Sequence, residues 1–129
     1  MKHKLPVALS GTTKPSYGNG RDLGYPTANL ALDTDLADGV YFGFADLAKY
    51  KNHPALIFVG VPTTLGDRDR RVEAYLLDIP DQDYYDQKLR LKICTYHRAN
   101  QRFSSLDALK KAMRADEVVG RDWFSSQKL

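Results

Sequence analysis

Apolar and polar positions alternate in short runs along most of this chain, and the pattern changes only near the end. Residues 88–96 show it most clearly: Leu89, Leu91, Ile93 and Thr95 alternate with Lys88, Arg90, Lys92 and Cys94. A period of two marks a strand with one buried and one wet face. Gly39–Leu47, rich in aromatic and β-branched residues, reads as a strand. The near-continuous apolar run Ala55–Val61 reads as a buried one. Lys4–Ser10, Tyr25–Leu32 and Arg71–Ile79 complete the set, and Pro6 suits the first to a sheet edge. Polar turns are expected at 33–38, at Lys49–Pro54 and in the charged run Asp67–Arg71.

After Tyr96 the period becomes helical. Ser104-Ser105-Leu106-Asp107 has the form of a capping box, and Leu106, Leu109, Ala112 and Met113 form one stripe. Asp116 could cap a second short helix carrying Val118, Val119, Trp123 and Phe124. Strands followed by a helical tail imply a mainly β fold with the tail packed outside an antiparallel barrel or sandwich. Spacing alone does not separate the two.

The chain has 129 residues, enough for one domain spanning 1–129. Its net charge of +3 suits polyphosphate ligands, but no basic stripe argues for nucleic acid. One cysteine, Cys94, excludes an internal disulfide and points to a reducing, cytoplasmic compartment. No window approaches the ~20 apolar residues of a membrane span. The basic start is a poor signal peptide, since the apolar run behind it is short and interrupted by Pro6.

Candidate chemistry lies in two places. Gly18, Gly20 and Gly24 punctuate the loop from Gly11 to Leu23, and its free N–H groups could cradle phosphate, with Arg21 beside them. Pro26, Thr27 and Asn29 follow. Thr27 and Asn29, two apart in an extended segment, share a face and offer the hard oxygens that Mg²⁺ takes beside phosphate. Neither the Walker spacing nor the dinucleotide fingerprint is present. The second place is Glu73, on the strand face that also carries Tyr75 and Leu77. A carboxylate among apolar neighbours tends towards a raised pKa, as a general base requires.

The string Gly20-Arg-x-Leu-Gly-Tyr-Pro-Thr-Ala-Asn-Leu30 resembles the signature of riboflavin kinases, including the kinase module of bacterial bifunctional FAD synthetases. Val72-Glu-x-x-Leu-Leu-Asp78 resembles the family's segment with the proposed catalytic glutamate, and Gly39-Val-Tyr-x-Gly43 resembles another of its strands. Weaker matches run through Asp83–Arg90 and Arg98–Leu109 to Asp116 and Arg121.

The resemblance implies a six-stranded antiparallel Greek-key β-barrel with the helical tail outside. It implies transfer of the γ-phosphate of ATP to the ribityl 5′-hydroxyl of riboflavin, giving FMN and ADP. Glu73 would be the base. Gly18, Gly20, Arg21, Gly24, Pro26, Thr27 and Asn29 would bind nucleotide. Thr27 and Asn29 would hold Mg²⁺, with Zn²⁺ or Mn²⁺ as alternatives, and Asp116 and Arg121 would shape the flavin pocket. The expected partners are small molecules, with no nucleic acid or membrane, and a monomer is expected.

The sequence departs from the family pattern in a longer Gly11–Leu23 loop, a turn at Gly60–Thr63 one residue short, and Asp86, Asn100 and Gly120 at pattern positions. These leave open an alternative: a flavin- or nucleotide-binding regulatory module with weak or no catalysis.

Overall fold

The computed structural model describes residues 5–14, 25–30, 34–61, 70–80 and 84–127. Six strands are present: β1 (Val7–Thr12), β2 (Thr27–Leu30), β3 (Gly39–Leu47), β4 (Tyr50–Gly60), β5 (Arg71–Leu76) and β6 (Lys88–Arg98). They form one antiparallel sheet in the order β1-β6-β3-β4-β5-β2. β3, β4 and β5 are a meander, and β6 returns beside β3, which is the Greek-key order. The sheet curls into a half-barrel. Its outermost strands meet at one seam, where the Lys14 N–H donates to the Asn29 carbonyl at 2.9 Å.

The alternation assigns the two faces as expected. Ala28, Leu30, Ile57, Val72, Ala74, Leu76, Leu91 and Ile93 point inward and are buried in one core. On the convex side Phe42, Leu56, Tyr75, Leu77 and Met113 form a second cluster beneath the helix α1 (Leu106–Ser126). Trp123 and Phe124 pack on the sheet there, with ring centroids 5.5–6.1 Å from Phe42 and Phe44.

Most strand ends shift by one to three residues from those read off the chain, and three differences have a physical reason. β4 starts at Tyr50, within the expected polar turn. Exposed Lys51 and Asn52 belong to the strand through the pairs on either side of them, Leu47 with Tyr50 and Ala45 with His53, which side-chain polarity does not report. A bulge between Ala45 and Leu47, with the Asn52 N–H donating to Asp46 Oδ1 at 2.8 Å, accommodates the irregular register. Secondly, Ser105 is the N-cap of α1, accepting from the Ala108 N–H at 3.1 Å. Thirdly, α1 is continuous, so Asp116 caps no second helix. It lies in the middle of α1, buried against the sheet, and its carboxylate is held by partners on β6 rather than by helix N–H groups.

Close packing explains two glycines. A Cβ on Gly43 would lie 2.1 Å from the Lys92 carbonyl oxygen. One on Gly120 would lie 3.1 Å from the Phe42 ring and 3.2 Å from Leu56, so Gly120 lets α1 settle onto the sheet. Gly43→Ala is expected to destabilise the fold by about 2–3 kcal/mol, the upper range for overpacking, because backbone cannot yield as a side chain can. Thermal denaturation checks this: a melting temperature equal to that of the parent protein would contradict it.

Candidate active site

β2 and β5 are paired so that Thr27 faces Tyr75 and Asn29 faces Glu73. Directly opposed residues project on one side of a sheet, here the convex side, because Ala28, Leu30, Val72 and Ala74 occupy the other. Thr27, Asn29 and Glu73 are therefore brought together, although 44 residues separate Asn29 from Glu73. They lie on the outer wall of the half-barrel, where Glu73 shares a hollow with Leu109 and Met113 of α1.

Burial makes this polar group unusual. Asn29 is 2% exposed and Glu73 4%. The Tyr75 hydroxyl donates to Glu73 Oε1 at 2.9 Å. Asn29 Oδ1 is buried and has no hydrogen-bond partner among the described residues. An orphaned carbonyl oxygen costs about 1–3 kcal/mol, and a cation against it would remove that cost. The Thr27 hydroxyl donates to the Tyr25 carbonyl at 3.2 Å, leaving its oxygen lone pairs as acceptors. Among the described residues no group of three or more His, Cys, Asp or Glu could hold a metal. The Thr27 and Asn29 oxygens are neutral, hard donors, a chemistry that would fit Mg²⁺ completed by phosphate and water better than a thiolate- or imidazole-seeking ion.

Beside Glu73 a hollow of about 150 Å³ opens between sheet and helix. Leu56, Phe58, Phe103, Leu109 and Met113 supply apolar walls, and Glu73, Arg98 and Asp116 supply polar groups. Asp116 is 4% exposed. It accepts from Arg98 Nε at 2.7 Å and Nη2 at 2.8 Å, and its Oδ1 is 3.1 Å from His97 Nε2. This clamp ties the middle of α1 to the end of β6. His97 stacks on Phe42, a structural role as expected for the histidines.

Arg121 lies farther along α1. It donates to both Asp78 oxygens at 2.8 and 2.9 Å and to Glu117 at 2.7 Å, and it borders a separate hollow with His53, Leu77 and Phe124. The Arg121 bonds hold Asp78 below the usual carboxylate range. Burial pushes Glu117 up, but bonds from Tyr25 and Arg121 outweigh it and leave the carboxyl low. Burial, then donation to Glu117 at 2.8 Å, pushes the Tyr25 phenol well up, so it stays a donor. Gly18, Gly20, Arg21 and Gly24 lie outside the described residues.

Sequence reasoning gave no role to Tyr75, Tyr25, Arg98 or Glu117, although Arg98 falls at a position of the family pattern. Tyr75 had a signal, since it sits two residues from Glu73 on the same strand face. The other three are reached only through tertiary contacts.

A half-barrel carrying a buried carboxylate, two neutral side-chain oxygens and an apolar hollow under a helix defines a mainly β protein with a candidate small-molecule site on its outer wall. A family model described as flavokinase, riboflavin kinase, matches residues 3–124, and the chain belongs to the riboflavin kinase family. The chain is 34% identical over 122 residues to a bifunctional riboflavin kinase/FMN phosphatase of Arabidopsis thaliana, covering 88% of this chain and 32% of that one. A crystal structure described as a macrolide-efflux protein from Streptococcus pneumoniae superposes with a TM-score of 0.76 at 33% identity, covering 92% of this chain and 39% of that one. The riboflavin kinase of Trypanosoma brucei superposes with a TM-score of 0.69 at 22% identity, covering 92% and 80%, a likeness of fold. The chain thus spans about a third of the plant relative's length. No described helix is long and apolar enough to cross a membrane.

Proposed function

We propose that this chain is a Mg²⁺-dependent riboflavin kinase, transferring the γ-phosphoryl group of ATP to the ribityl 5′-hydroxyl of riboflavin and releasing FMN and ADP. The observation that carries this reading is the buried Asn29–Glu73 cross-strand pair, with its orphaned Asn29 oxygen, at the rim of an apolar hollow. Phosphoryl transfer asks a protein mainly for positioning and charge stabilisation. Glu73 accepts the proton of the 5′-hydroxyl as its oxygen attacks phosphorus. Thr27 and Asn29 hold the Mg²⁺, which when bound neutralises charge on the transferring phosphates. The backbone around Gly18, Gly20 and Gly24, with Arg21 and Pro26, holds the polyphosphate. The hollow receives the flavin ring, whose apolar faces match its walls. Asp116 and Arg121 serve the flavin side by fixing α1 over it. Residues 1–129 act as one riboflavin kinase-like domain, as a cytoplasmic monomer on small molecules, with no nucleic-acid or membrane partner.

Incubation with riboflavin, ATP and Mg²⁺, followed by chromatography, should yield FMN and ADP in equal amounts. Tight riboflavin binding without FMN would instead establish a regulatory binding module. The metal assignment has its own test. Thr27→Val keeps the side-chain shape and removes the oxygen. The Mg²⁺ concentration for half-maximal ATP binding should rise about tenfold, the equivalent of about 1.4 kcal/mol. An unchanged Mg²⁺ titration would remove Thr27 from the metal site.

A further inference from the structure

We propose that Tyr75 is a positioning residue for Glu73: its phenol holds the carboxylate in place for the reaction. The inference rests on the kinase reading above. Residues two apart on a strand share a face, and here the contact is made, with the Tyr75 hydroxyl donating to Glu73 Oε1 at 2.9 Å inside a buried layer. The Tyr75 ring is itself confined. It is 6% exposed and meets the Tyr25 ring edge-on at 6.2 Å. Tyr25 is in turn tied to Glu117 of α1. The donor therefore reaches the carboxylate from a side chain with little freedom to turn away.

A base must face the proton it accepts, so a bond that fixes the direction of the carboxylate serves the transfer step. The surroundings of Glu73 contain both signs. On its own strand are Arg71 and Tyr75; opposite on β2 is Asn29, and on β4 neutral Phe58. Arg98, Arg102 and, from α1, Asp116 share its hollow. Arg98 and Asp116 are bound to each other, so their charges largely offset at Glu73. The Tyr75 bond acts on the carboxylate directly.

The test is kcat, KM and riboflavin affinity for FMN formation in the parent protein, Tyr75→Phe, Tyr25→Phe and Glu73→Gln, alone and combined. Tyr75→Phe keeps the ring and should fold. Its kcat should fall about tenfold, the effect of losing one bond to a charged group, with KM and riboflavin affinity within about twofold of the parent. Tyr25→Phe loses a bond of similar strength but not the one to Glu73, so its kcat should stay within about twofold of the parent. In the Glu73→Gln background, Tyr75→Phe should add little, because coupled residues are not additive. An unchanged kcat in Tyr75→Phe, an equal fall in Tyr25→Phe, or full additivity with Glu73→Gln would each overturn the role of Tyr75 and leave the kinase reading standing. Absence of FMN from the parent protein would instead defeat that reading.

Discussion

Replacing Glu73 by alanine is expected to cut FMN formation by about 10²–10⁴-fold, the usual contribution of a general base, while riboflavin binding changes only a few-fold. The asymmetry follows from geometry. The flavin ring is assigned to the hollow lined by Leu56, Phe58, Leu109 and Met113, whereas Glu73 stands at its rim beside Asn29. Removing the carboxylate deletes the proton acceptor but leaves the walls. It also leaves the Tyr75 hydroxyl without its Glu73 acceptor, at a stability cost of about 1–3 kcal/mol. Glu73→Gln is therefore the companion variant: its amide oxygen still accepts from Tyr75, yet it cannot take a proton at neutral pH. Both variants should be slow in single-turnover assays while flavin fluorescence reports near-normal binding. Parent-like turnover in Glu73→Gln would show that no base is needed at this position.

Asp116→Ala is expected to destabilise the fold by about 3 kcal/mol, near the lower end for breaking a buried ion pair, because the Arg98 side chain keeps about a quarter of its exposure. For a chain of this length that lowers the melting temperature by about 10 °C. Asp116 accepts two bonds from Arg98 and faces His97, so its loss leaves a guanidinium unpaired against an apolar layer and frees the centre of α1 from β6. Because α1 roofs the hollow, riboflavin affinity should fall along with stability, in contrast to the Glu73 variants. Calorimetry and a flavin titration below the melting temperature check both parts. A variant that melts like the parent and binds flavin normally would show that Gly120, Trp123 and Phe124 suffice to seat the helix.

The two variants mark how far sequence reading reaches. The face that carries Glu73 was legible because strand alternation sorts side chains between faces from local information alone, and the sheet reproduces that sorting: Val72, Ala74 and Leu76 inside, Tyr75 and Leu77 outside. Asp116 was legible as a residue but not in its role. A carboxylate after a helical stripe looks like an N-cap. Its true partners, His97 and Arg98, are on a strand that ends 18 residues earlier. The start of β4 was missed for a related reason, since the pairing of Tyr50 with Leu47 across a bulge carries Lys51 and Asn52 into a strand that their side chains do not announce.

The amino-acid sequence alone determined the local conformations and the two faces of the sheet, because alternation, glycines and helical stripes act over a few residues. It also supplied the chemical groups Thr27, Asn29 and Glu73. Only the tertiary structure decided that these groups meet, because β2 and β5 are registered by side-chain packing across a sheet, and nothing in either segment encodes the other's position. It likewise decided that the site lies on the outer wall beneath α1. The apolar stripe of that helix is buried only against the convex face, and Gly120 allows its close approach to the Phe42 and Leu56 side chains.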